Sequence, residues 1–78
     1  MQRKKEVLFL QILLLQLRKE SGMTQKDLAG KLGISEAAYR QKERGQRNFN
    51  SNEMFEIADI FKKDIGDIFT DSRPRNVN

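Results

Sequence analysis

The amino-acid sequence predicts an all-α domain of five helices, and three observations carry that prediction. The stretch from Thr24 to Gly45, TQKDLAGKLGISEAAYRQKERG, reads as two short helices joined by one tight glycine turn, a helix-turn-helix. Apolar residues recur at helical spacing on either side of it, as Leu10, Leu13, Leu14 and Leu17 before and as Met54, Ile57, Ala58 and Phe61 after. Two pairs with helix-start cap spacing, Asn50 with Glu53 and Asp64 with Asp67, open a fourth and a fifth helix.

The chain divides into a basic and apolar extension over residues 1–9, a domain over 10–69 and a polar tail over 70–78 that holds the only proline. The extension carries Arg3, Lys4 and Lys5, and from Val7 to Leu17 nine of eleven residues are apolar. That run is shorter than the roughly 20 residues that span a bilayer, and no small-residue cleavage site follows it. It flows directly into the helix-turn-helix, so it is read as the first helix rather than as an export signal, and no membrane partner is expected. Leu8, Ile12 and Leu15 form a second stripe, roughly opposite the inward one. Three readings of it stand: a contact with another chain, a few tolerated surface leucines, or a first helix that starts later than this stripe assumes. Gly22 suits the left-handed end of this helix, and Met23 supplies an apolar anchor beyond it.

Thr24 caps the second helix, with Asp27 completing a capping box. Leu28 and Leu32 share one face, and Ala29 between them is small where another helix must cross closely. Gly33 ends the helix in a left-handed turn, after which Ile34 folds back onto the leucines. Ser35 caps the third helix, about residues 35–45. Tyr39 points inward, while Glu36, Ala37, Arg40 and Gln41 fall together on the outward face. Their chemistry suits reading base edges. Gln41 can donate and accept at an adenine edge, and Arg40 can fork onto guanine or reach a phosphate. Ala37 offers a methyl contact to thymine, and Glu36 can accept from cytosine N4 or simply complement the helix start. Met54, Ile57, Ala58 and Phe61 face inward on the fourth helix, and Ile65, Ile68 and Phe69 on the last. The spacing of Asp64 and Asp67 matches no calcium loop.

Composition narrows function by exclusion. With 78 residues a single core is only marginally sufficient, so association between copies is expected from size alone. Cysteine and histidine are absent, which removes disulfides, thiolate zinc sites, imidazole bases and Ser-His-Asp arrangements. No catalytic residue, metal, cofactor or small-molecule ligand is expected, because acid-base work would rest on scattered carboxylates already used as caps. The net charge of +4 favours a polyanionic partner, or serves solubility alone.

The segments LRKESGMTQKDLAGKLGIS, YRQKERG, MFEIADIF and DIGDIF together resemble the lambda-repressor-like helix-turn-helix regulators of the Cro or Xre type, over roughly Leu10 to Phe69. Gln25, Ala29, Gly33, Glu43 and Gly45 stand in that family's expected places. The nearest likeness is to short repressors of bacterial phages and mobile elements. The resemblance implies a cytoplasmic, nucleoid-associated transcription regulator whose partner is double-stranded DNA, bound as a homodimer on a palindromic operator with recognition helices about 34 Å apart. No effector domain is read, so regulation is expected from occupancy, competition with polymerase or a separate protein. Arg18 would pair with Glu43, tying the first helix to the end of the third, with Ala29 and Gly33 as further structural positions. Gln25, Ser35, Arg44, Gln46, Arg47 and Asn48 would contact the DNA backbone, and Glu36, Ala37, Arg40 and Gln41 the bases.

Three sites depart from the family pattern. Lys42 stands where an aliphatic residue is common, Phe49 where proline is common, and Lys62-Lys63 where a glycine and an apolar residue usually separate the last two helices. The alternative function keeps the fold but works through protein contacts, as an antirepressor or immunity partner. It is motivated by Glu36 on the reading face and by the second stripe of the first helix.

Overall fold

Side-chain caps decide where most of the helices start. Thr24 Oγ1 accepts from the Asp27 amide and the Asp27 carboxylate accepts from the Thr24 amide, both at 2.9 Å, which closes a capping box. Asn50 and Glu53 repeat the arrangement at 2.8 and 2.9 Å, and Ser35 Oγ accepts from Ala38 N at 3.0 Å. The computed structural model describes residues 11–69, among which these and the remaining starts give α1 (Ile12–Glu20), α2 (Gln25–Leu32), α3 (Glu36–Glu43), α4 (Ser51–Phe61) and α5 (Ile65–Ile68). Leu8, Leu10, the basic start and the polar tail lie outside the described residues.

The expected Asp64 and Asp67 capping box is not there. Asp64 has the extended backbone of an N-cap, but its side chain makes no cap hydrogen bond. The reason is local: the Asp67 amide, which the cap would need, already donates to the Asp64 carbonyl at 2.9 Å. This last helix is one turn long and is held by what it buries, chiefly Ile68.

Each helix places one residue at the centre of the core. Leu14, Leu28, Tyr39, Ile57 and Ile68, from α1 to α5 in order, are all 0% exposed. Around them Leu17, Met23, Leu32, Ile34, Met54, Ala58, Phe61 and Phe69 are partly buried against the same cluster. Burying such a side chain is worth about 1.5 to 3 kcal/mol at most, so loss of any one central residue threatens a domain this small. Ala29 is buried in the core, and among the described helices α2 and α3 pack most closely on one another. Gly33, at φ 72°, makes the turn between them, and Ile34 N closes it by donating to Ala29 O at 3.0 Å.

The three departures from the family pattern each find a physical solution. Phe49 is buried between Tyr39 and Phe69, with ring centroids 5.9 and 5.5 Å away in tilted and edge-on geometry. Lys42 is buried as well, yet its Nζ lies 2.7 Å from both carboxylate oxygens of Glu53, 6.0 Å from the centre of the Phe49 ring. An ion pair therefore fills the slot an aliphatic residue would take, and its charge is matched where it is buried. Lys62 adopts the left-handed conformation at φ 57°, so that Lys63 N can reach Ala58 O at 3.0 Å and finish α4.

That last solution is the costly one. A residue with a Cβ loses about 1 to 2 kcal/mol in the left-handed region, and the exposed Lys62 side chain returns little through its 4.0 Å contact with Asp59. Lys62→Gly is expected to stabilise the domain by about 0.5 to 1 kcal/mol, after allowing for the added freedom of glycine in the unfolded chain. Urea unfolding at neutral pH checks it, and a lowered midpoint at unchanged slope contradicts it.

Candidate nucleic-acid interface

The outward face of α3 depends on a buried carboxylate beneath it. Glu43 accepts from Arg18 Nε at 2.7 Å, from Arg18 Nη2 at 3.3 Å, from the Tyr39 hydroxyl at 2.7 Å and from Gln25 Nε2 at 2.9 Å. Arg18 also donates to the Met23 carbonyl at 2.9 Å. One charge thus holds α1, α2, α3 and the turn between the first two, with the Arg18 and Glu43 pairing that the family resemblance implied. Burial alone would raise the Glu43 carboxyl, but the hydrogen bonds from Arg18, Tyr39 and Gln25 outweigh it and hold the group below the usual range. Burial, followed by the bond to Glu43, pushes the Tyr39 hydroxyl up, and the same carboxylate raises Arg18.

Above this hub the four candidate readers lie on one face. Glu36, Ala37 and Gln41 are exposed and Arg40 is half-buried. Arg40 Nη2 donates to Glu36 at 3.2 Å, an i,i+4 pair, and Arg40 Nε approaches Gln25 Oε1 at 3.4 Å. Gln25 is therefore turned onto α3 by its side chain, instead of standing free at the start of α2. Gln41 Oε1 accepts from Arg47 Nη1 at 3.3 Å. The loop after α3 closes on the same residue, since the amides of Gln46 and Arg47 both donate to the Gln41 carbonyl, at 2.9 and 3.3 Å, beyond a left-handed Gly45. Arg44, Gln46, Arg47 and Asn48 are exposed along that loop. Ser35 is exposed too, and although its oxygen serves as the cap, its hydroxyl hydrogen is still a donor.

A family model described as helix-turn-helix matches residues 14–68 of this chain. The chain belongs to the Cro/Xre-type helix-turn-helix family. No curated protein and no solved structure matches it. As a Cro/Xre-type protein it is a DNA-binding regulator whose partner is double-stranded DNA, and the family is regulatory, not typically enzymatic. Among the described residues no helix is long and apolar enough to cross a membrane.

Among the features of this Cro/Xre-type domain not foreseen from sequence are two contacts and one exposed ring. The Tyr39 hydroxyl on Glu43 had a signal, the i,i+4 spacing on α3. The Lys42 and Glu53 pair had none, because Glu53 was fully accounted for as a cap. Phe55 is 62% exposed on α4, and its place off the stripe of Met54, Ile57 and Ala58 was readable.

Two buried carboxylates in the domain make acid sensitivity testable. Burial would raise Glu53 as it does Glu43, but Lys42 and the Asn50 amide overcome this and its pKa is also lowered. Groups lowered in the folded state stabilise it fully above their ordinary pKa of 4.5, and that contribution drains away as pH falls through their native values. With no histidine in the chain, urea unfolding should be nearly flat between about pH 6 and 8 and should weaken steeply towards about pH 3. Equal stability at the two extremes contradicts the assignment.

Proposed function

We propose that the protein is a repressor that reads a palindromic operator as a homodimer, with α3 in the major groove and α2 across the backbone. The observation that carries this reading is the division of α3. Tyr39, Lys42 and Glu43 are buried in internal partners, while Ala37, Arg40 and Gln41 are turned outward with chemistry suited to base edges. Ser35, Arg44, Gln46, Arg47 and Asn48 surround that face as donors for phosphates, which set position and affinity more than sequence, while the Gln25 amide nitrogen is turned inward onto Glu43. Occupancy of the operator against polymerase is the simplest route from such a site to repression. Glu36, which motivated the rival reading of a protein-contact module, has a partner on its own helix in Arg40, so it need not await one on another protein.

Gln41→Ala should cost on the order of 1 to 3 kcal/mol on the preferred site and much less on random DNA. Arg47→Ala should instead weaken both alike and flatten the dependence on salt by about one unit of slope. Titrations on both DNAs at several salt concentrations separate the two behaviours. Equal losses for Gln41→Ala on both DNAs would reassign that residue to the backbone, and an unchanged slope would leave Arg47 merely solvated.

The exposed apolar side chains support the dimer. Ile12 is 45% exposed and Leu15 half-buried, so the part of the second stripe that lies within the described residues is not used by the core. Ile12 and Leu15 line a groove with Gln25 and Arg44, on the side proposed to meet DNA. Phe55 on α4 is not part of that groove and so suits better a contact that leaves both reading helices free. Phe55→Gln is expected to shift sedimentation equilibrium towards monomer with the helical circular dichroism kept. If Ile12→Gln with Leu15→Gln does so and Phe55→Gln does not, the contact belongs to α1. If neither does, the proposed dimer fails.

A further inference from the structure

Glu36 and Gln25, both on the face proposed to meet DNA, converge on a third residue, Arg40. Glu43 is ionised and buried, so it can only accept hydrogen bonds. The amide of Gln25 must therefore present its nitrogen to Glu43, at 2.9 Å, and this leaves its oxygen facing α3. Arg40 Nε meets that oxygen at 3.4 Å, while Arg40 Nη2 meets Glu36 at 3.2 Å. Both contacts fall on the Nε edge of the guanidinium. A planar guanidinium has a second edge, formed by Nη1 with the other hydrogen of Nη2, and it is this end that can fork onto two acceptors side by side.

We propose that Gln25 and Glu36 are positioning residues that occupy the Nε edge of Arg40 and present its terminal edge to the major groove, so that each half-site carries a guanine read at O6 and N7. Guanine is the base whose major-groove edge offers two adjacent acceptors to such a fork. The proposal rests on the reading of α3 as the major-groove element and deepens it, by naming one base and the two residues that select it through Arg40. It also gives Glu36 a use that needs no contact with DNA: its charge holds the guanidinium by an i,i+4 pair on the exposed surface. Gln25 adds what a surface pair lacks, an anchor in the core, because its own orientation is dictated by the carboxylate that Arg18 and Tyr39 also hold.

The test is selection of bound sequences from random double-stranded DNA, with the full chain and with Arg40→Ala, Glu36→Ala, Glu36→Gln and Gln25→Ala, each checked for helical content by circular dichroism. Base preference, not overall affinity, is the readout, since loss of a phosphate contact or a general loosening would not single out one position. The full chain should select a motif with a guanine in each half, and Arg40→Ala should lower that preference about five- to a hundredfold. Glu36→Ala and Gln25→Ala should each lower it at the same position by a smaller factor, about two- to fivefold, with Glu36→Gln in between because its amide oxygen still accepts. A changed preference at a different position in Glu36→Ala would make Glu36 a base reader and overturn the proposal. So would an unchanged motif in both Glu36→Ala and Gln25→Ala. A motif that Arg40→Ala leaves intact overturns this inference alone, whereas a full chain that selects no motif overturns the sequence-specific reading beneath it.

Discussion

The carboxylate of Glu43 is the constraint from which the rest of the interface follows. A buried charge is costly unless paired and fully hydrogen-bonded, and here the donors come from three different helices. Arg18 brings the end of α1, Gln25 the start of α2, and Tyr39 the core face of α3 itself. Removing any donor leaves the others around a less satisfied charge, so the placement of α2 against α3 is held by electrostatics as well as by the buried core that includes Ala29. A packed interface of methyl groups would tolerate small slips in that placement. A charge with four directed bonds does not.

The second flank of α3 is secured by the same physics in a different form. Lys42 and Glu53 form a buried pair, and Glu53 at the same time caps α4 by accepting from the Asn50 amide. One side chain therefore sets both where α4 begins and where α3 rests against it. The helix proposed to read DNA, α3, is held by two ion pairs, through Glu43 and through Lys42, with Tyr39 packed on the Phe49 ring. Residues 36, 37, 40 and 41 are what this pinning leaves outside, and their preorganisation is what the proposed recognition surface rests on.

How much of this was legible in the sequence depends on how local each cause is. The caps at Thr24, Ser35 and Asn50 and the turn at Gly33 were readable because donor, acceptor and backbone conformation all lie within a few residues. The Asp64 and Asp67 spacing looked the same and failed, since a one-turn helix spends the needed amide on its own carbonyl. Arg18 with Glu43 came from the family resemblance, as no periodicity links positions 25 residues apart. Lys42 was recognisable only as an anomaly, and its partner could not be found because burial of a lysine depends on which acceptor the fold brings near. Gln25 stands at the start of α2 as the sequence shows, but its side chain answers to the buried charge beneath it, which no local pattern reveals. The outward set of α3 followed directly from helical spacing.

The most direct measurement of the central claim is the stability of Glu43→Gln at neutral pH. Glutamine keeps the shape and removes the charge, so Arg18 is left buried without its partner. Urea unfolding should then show a loss of about 3 to 5 kcal/mol, a large share of what holds a domain of this size. A loss of less than about 1 kcal/mol would be the range of a surface pair, and would contradict a structure built around this carboxylate.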